Sequence, residues 1–433
     1  MATKKLGFWT SSSLVVGNMI GSGVFLLPAS LAAFGSISLI GWLISAVGAA
    51  CLAFVFISLS KTMPGTSGGP YTYTRAGLGD FAGFLVAWGY WVSIWCTNAA
   101  IAVAFVSYLT VFVPVLSNSG FAATGVGLAA IWGLVWINSR GVREAGIFQL
   151  ITSILKIAPL IAIGVIGLFY IDIDNFFPMN IGEGTDFGAI IASATLTFFA
   201  YMGLECATIP AADVENPTKT IPRATYFGIT ITSVVYILGS LVLMGMIPSE
   251  ELQTSNAPFA DAASIIWGPT GSSIVAIGAI ISTLGALNGW ILIQGQIPAA
   301  IARDKLFPSF FAKENSRGTP ILSIVLSSVL VSVLMIMNYT RGLAGAFKFA
   351  LLLASMTALI AYLFTAASYI VVEGKTNGWH LRSWTKLAIA CLAFIFSIWA
   401  IAGSGEEIVY WGFILLMAGI PFYVWVLVKR HEK

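Results

Sequence analysis

Apolar runs long enough to cross a bilayer as helix, which takes about 20 residues, follow one another along the whole chain and are separated by short polar joints. They predict helices at 8–33, 38–60, 82–113, 121–138, 146–170, 188–211, 224–247, 272–302, 320–338, 347–371, 384–403 and 408–428. The runs are continuously apolar, whereas strands of a membrane barrel alternate polar and apolar positions over roughly ten residues. Helices are then the one spanning solution left, because a bilayer offers backbone groups no water to bond. The expected fold class is an all-α membrane protein with 12 transmembrane helices, in a single transmembrane domain over 1–433.

Basic residues give this layout an independent check. With the N-terminus cytoplasmic, the inside segments hold Lys4, Lys5, Lys61, Arg75, Arg140, Arg143, Lys219, Arg223, Arg303, Lys305, Lys313, Arg317, Lys375, Arg382, Lys386, Lys429, Arg430 and Lys433, which is 18 of the 21 lysines and arginines. The outside joints hold Arg341 and Lys348 and collect acids such as Asp172, Asp174, Glu183, Asp186, Glu250, Glu251, Asp261, Glu406 and Glu407. Positive residues favour the cytoplasmic side, so both termini are expected there, in a multi-pass inner-membrane protein. Gaining or losing one helix would scramble the asymmetry.

Composition narrows the function. Of the 433 residues 58% are hydrophobic and 9% charged, against about 25% charged in a soluble domain, so the lipid bilayer is the first partner and nucleic acid is not one. Cys51, Cys96, Cys206 and Cys391 all lie inside apolar runs, and the two histidines, His380 and His431, fall in a joint and in the tail. Neither a disulfide framework nor a metal site is expected, nor any cofactor. No hydrophilic insertion leaves room for a nucleotide-binding domain, and no phosphate-cradling GxxxxGK[ST] occurs. An enzyme would need a catalytic cluster at membrane depth, and a channel a filter or ring; neither is suggested. A carrier driven by a gradient remains.

Two helices look interrupted. The first contains Gly17-Asn18-Met19-Ile20-Gly21-Ser22-Gly23-Val24-Phe25, and each glycine costs a helix about 1 kcal/mol relative to alanine. The sixth contains Phe199-Ala200-Tyr201-Met202-Gly203-Leu204-Glu205. Glycines also let membrane helices pack closely, and either stretch alone has that plainer reading. Together they open two groups of five helices, about 8–170 and 188–371, and a matched pair of broken segments points to an inverted-repeat transporter with a site at the midplane. Exposed N–H groups at Ser22 and Gly23 would attract a carboxylate, helped by the positive end of a half-helix. Free carbonyls from Phe199 to Gly203 would accept from an ammonium group. The small-molecule substrate so described is an amino acid or amine.

The same motifs, with Val214-Glu215-Asn216-Pro217-Thr218-Lys219-Thr220-Ile221-Pro222-Arg223-Ala224 after the sixth helix, make nearly the whole chain resemble the amino acid-polyamine-organocation superfamily of permeases. The nearest likeness is to bacterial arginine-agmatine, lysine-cadaverine and putrescine-ornithine exchangers. The resemblance implies the five-plus-five inverted repeat first described for a sodium-coupled leucine transporter, two extra helices at about 384–428, alternating access and a homodimer. It implies substrate contacts from Ile20, Gly21, Ser22, Gly23, Tyr90, Ser93, Asn98, Phe199, Tyr201, Met202, Gly203 and Trp290. It also implies gates at Tyr90, Phe199, Trp290 and Tyr362, and proton or charge sensing at Glu205.

Two departures qualify it. Phe199 stands where the arginine-agmatine type has tryptophan, and phenylalanine is the poorer partner for a cation. Lys156, in the predicted fifth helix, resembles the lysine of proton-coupled permeases for neutral amino acids. Lys156 and Glu205 are the two ionisable groups well inside predicted helices, where a charge costs at least about 2.5 to 3.5 kcal/mol; holding helices together is their plainer role. Trp290, Tyr90, Ser93 and Asn98 could likewise serve packing. Two substrate readings stay open: exchange of a cationic amino acid or polyamine, and proton-coupled uptake of a neutral amino acid.

Overall fold

A computed structural model of the chain describes residues 6–21, 23–63, 69–139, 157–208, 214–315, 318–377 and 381–431. Ser22 and Lys156 lie outside the described residues. Among those described there is no strand, and one isolated bridge joins Leu6 to Val214. Among the described residues, nine helical segments are long and apolar enough to cross a membrane, and three shorter apolar helices accompany them.

In chain order the helices are α1 (Phe8–Met19), α2 (Gly23–Ala32), α3 (Ser38–Thr62), α4 (Pro70–Leu78), α5 (Asp80–Leu109), α6 (Val115–Asn118) and α7 (Gly120–Ser139), then α8 (Ile157–Tyr170). There follow α9 (Asp186–Phe198), α10 (Pro217–Met246), α11 (Ser249–Leu252), α12 (Pro258–Arg303), α13 (Ile321–Met337), α14 (Gly342–Asn377), α15 (Leu381–Ala402), α16 (Glu406–Met417) and α17 (Ile420–His431). The central pillar is α5, buried along almost its full length and packed on α12 and α14. By contrast α15 turns Leu392, Ile395 and Ile398 outward, the pattern of a helix facing hydrocarbon.

Local chemistry moves several boundaries from those predicted. The joint after the second helix holds α4: Pro70 opens it, where a missing N–H costs nothing, and Tyr71, Tyr73 and Thr74 are its buried face. Its apolar content is too low to register as a span. α10 starts at Pro217 rather than 224, behind Asn216 in the left-handed region, a conformation asparagine tolerates better than most residues. α12 begins at Pro258 rather than 272 and bends at Gly268 (φ 67°). Pro269 follows, and proline both lacks the N–H and pushes the preceding residue off helical geometry. The sixth predicted helix, 188–211, stops being α-helical at Phe198.

Candidate functional site

Helix α1 ends at Met19 and α2 resumes at Gly23, so the first apolar segment is cut where its glycines cluster. A cut helix leaves carbonyls on one side and N–H groups on the other without intrahelical partners. One of them is held from across the bundle: the Tyr236 hydroxyl, on α10, donates to the Met19 carbonyl at 2.6 Å. The same carbonyl accepts from the Gly21 N–H at 2.9 Å.

The second cut follows α9. A 3-10 turn at Phe199–Tyr201 leads to Met202 in extended conformation and Gly203 at φ 100°. Turns then carry the chain through Glu205 to Thr208. A Cβ on Gly203 would sit 3.1 Å from the Asn18 Cβ, and one on Gly23 would sit 3.1 Å from the Phe199 ring. The two interrupted stretches therefore meet backbone to side chain, and glycine is what lets them.

Between them lies a narrow cavity lined by Asn18, Met19, Gly21, Gly23, Thr97, Ile101, Phe199, Met202 and Trp290. Of the residues expected at the site, it brings together Gly21, Gly23, Phe199, Met202 and Trp290. Asn18, Met19, Thr97 and Ile101 were not foreseen. Thr97 and Ile101 follow Tyr90 at one helical face, seven and eleven residues on, which is the signal that could have found them. A second hollow, between α5, α7, α13 and α14, is lined by neither of the two interrupted stretches, and so lacks their unpaired N–H and carbonyl groups with which to hold a zwitterion.

Glu205 is fully buried at the end of the second cut. Its Oε1 accepts from the Tyr90 hydroxyl of α5 at 2.5 Å, and its Oε2 accepts from the Tyr362 hydroxyl of α14 at 2.6 Å. Three elements are thus clasped by one carboxylate, three residues along the chain from Met202. Tyr90 and Thr97 are seven residues apart on α5, which at 1.5 Å per residue sets the clasp about 10 Å from the cavity wall.

The other expected residues have partners of their own. Ser93 donates to the Tyr90 carbonyl of its own helix at 2.7 Å. Tyr201 donates to Ser233 at 3.0 Å and packs against Trp42 and Tyr236. Asn98 donates to Gln294 of α12 at 2.7 Å. Ile20 is fully buried and Gly203 abuts Asn18; neither they nor Ser93, Asn98 and Tyr201 belong to the cavity lining.

Comparison with known proteins agrees with this architecture. A family model described as amino acid permease matches residues 6–427. The chain is 32% identical to a putative arginine/ornithine antiporter of Bacillus subtilis over its whole length and 99% of the relative's. It is 31% identical to the cadaverine/lysine antiporter of Escherichia coli K12, over all of this chain and 96% of that one. Against the putrescine transporter PotE of Haemophilus influenzae the identity is 30%, over all of this chain and 99% of the other. A match across so nearly the full length, with the two helix breaks falling on the quoted motifs, leaves one conclusion: the chain belongs to the amino acid permease family.

Proposed function

We propose that this protein is a secondary active antiporter that exchanges a cationic amino acid for a related amine by alternating access between α1–α2, α5, α9 and its continuation, α12 and α14. The observation that carries the reading is Glu205, a carboxylate held by two tyrosines within a few residues of a cavity between two cut helices. The N-terminal end of α2 would take the substrate carboxylate, and the carbonyls around Phe199 its α-ammonium. A second positive charge on the substrate then needs an anion along its path, and Glu205, about 10 Å from the cavity wall, is the buried carboxylate there. Antiporters of arginine, ornithine, lysine and cadaverine among the relatives support the same substrate class.

The reading carries twelve spans arranged as two inverted repeats of five plus two, both termini cytoplasmic, in an inner-membrane homodimer. The packing supports the repeat. Exchanging each helix for its counterpart five spans later turns the α1–α10 contact into the α9–α3 contact, and the α7–α12 contact into the α13–α5 contact, and all four occur. Tyr90, Phe199, Trp290 and Tyr362 serve as gates in this scheme, with the Glu205 clasp closing the cytoplasmic side. Lys156 keeps the competing reading alive, proton-coupled uptake of a neutral amino acid.

One experiment separates the two. Purified protein in liposomes loaded with unlabelled arginine, ornithine, lysine, agmatine, cadaverine, putrescine or alanine is tested for labelled uptake at acidic and neutral pH. Antiport predicts uptake only into liposomes loaded with a cationic compound, and a loss of about tenfold or more in Glu205→Gln, since hydrogen bonds to a charged group are worth about 1.5 to 3 kcal/mol. Alanine uptake driven by a pH gradient into empty liposomes, with no response to internal cations, would overturn it.

A further inference from the structure

In the five-plus-five scheme α15 is an appended helix, yet one of its faces is packed into the bundle. Leu392, Ile395 and Ile398 face outward, while Ala393, Phe396 and Ala400 are buried. The Phe396 ring lies so close to Gly48 of α3 that a Cβ there would stand 2.5 Å from three ring carbons. Just past the end of α15, a Cβ on Gly403 would run into the Thr195 hydroxyl of α9, and that hydroxyl donates to the Ala400 carbonyl at 3.1 Å. Near the start of α15, Lys386 pairs with the buried Glu373 of α14 at 2.9 Å.

From this seat an aromatic path leads to the Glu205 clasp. Phe396 meets Phe198, the last residue of α9 before the second cut, with ring centroids 5.4 Å apart and planes at 61°. Phe198 meets Tyr362 edge to face at 6.1 Å and 80°, and Tyr362 donates to the Glu205 Oε2 at 2.6 Å. Phe56 of α3 also packs on Tyr362, at 5.3 Å and 80°. Protein interiors are packed as densely as crystals, and a void deprives its lining of contacts. A ring removed at Phe396 therefore lets Phe198 relax away from Tyr362, whose hydroxyl then holds the carboxylate with one ring fewer behind it.

We infer that Phe396 is a positioning residue for the gate: it acts through Phe198 to hold Tyr362 on Glu205, so that α15 sets how firmly the clasp stays closed. The inference rests on the reading above in which the clasp closes the cytoplasmic side, and deepens it by giving an appended helix a part in the balance between the two facing states. A weaker clasp favours the cytoplasm-facing state. A state that is less populated binds its substrate with an apparent affinity reduced by the same fraction. The KM measured from outside then rises, the KM measured from inside falls, and their ratio follows the balance between the states.

The test measures both KM values, in right-side-out and inside-out membrane vesicles, for the best transported of arginine, ornithine, lysine, putrescine and alanine. Phe396→Leu is expected to raise the ratio of outside to inside KM about two- to tenfold, the worth of an aromatic pair expressed as a factor. Should that variant not accumulate, Phe396→Met, which fills irregular space better, is read in the same way. Tyr362→Phe is the reference and should raise the ratio about tenfold or more, because it deletes a hydrogen bond to a charged group. In the Tyr362→Phe background, Phe396→Leu should lower the thermal midpoint again while leaving the ratio within about twofold. A structural role alone would lower the midpoint in both backgrounds and move the ratio in neither. With Tyr362→Phe effective, that result, or a second shift of the ratio in the Tyr362→Phe background, overturns the inference and leaves the clasp as a gate. If Tyr362→Phe itself leaves the ratio unchanged, the clasp does not close the cytoplasmic side, and that reading falls together with this inference.

Discussion

At Gly203 the backbone sits at φ 100°, where a side chain adds strain of about 1 to 3 kcal/mol, and a Cβ would press on Asn18 at 3.1 Å. Gly203→Ala is therefore expected to lower stability by about that much and to slow exchange, read as the thermal midpoint in detergent and counterflow in liposomes. An unchanged midpoint would mean the turn can be relaxed without loss. Neighbouring Glu205 shows what a sequence can reveal at this scale. An acid in an apolar run announces itself, and the type of residue suffices. Its two clasping tyrosines came only through the family resemblance, since nothing in an apolar helix marks one tyrosine among 13. The partner choices of Ser93 and Tyr201 stayed hidden for the same reason: a small polar group can bond its own helix or a neighbour, and only packing decides.

Among the elements, the cut between α1 and α2 depends on a tyrosine from another helix. Replacing Tyr236 by Phe removes the bond to the Met19 carbonyl but leaves that carbonyl its Gly21 N–H partner. The loss should therefore sit at the low end of the cost of an unmet buried polar group, about 1 kcal/mol. A shift of a few degrees in the thermal midpoint is expected, with a KM raised for every substrate alike; selective loss of one substrate would assign Tyr236 to recognition instead. The glycine cluster made this cut legible in the sequence, as hydropathy made the long spans legible. Hydropathy could not show where α-helical bonding stops within a run, so the end of α9 at Phe198 was overshot. Nor could it register α4, which covers the bundle with one apolar face, or the helix before Gly268, whose chain carries Asp261.

Across the whole molecule, alternating access requires contacts at one mouth that break while those at the other form, and a contact outside the spans illustrates one. The Tyr71 hydroxyl of α4 donates to Asp304, at the end of α12, at 2.6 Å. Burial, and then the bond to Asp304, push the Tyr71 phenol well above its ordinary range. A raised value means that folding favours the neutral, donating form. Its stabilisation is complete below about pH 10, where free tyrosine titrates, and fades only as pH climbs beyond that. Between pH 5 and pH 8 this tie is thus constant, and Tyr71→Phe should change the exchange rate by the same factor at every pH. Asp304 is exposed, so the bond belongs with the weaker ones, about 1 kcal/mol, or roughly fivefold in the balance between the two facing states. A parallel displacement of the pH profile is the expected result. Should the variant bend the profile, Tyr71 would be coupled to a group that titrates in this range, and the clasp at Glu205 would have to be tested as its partner.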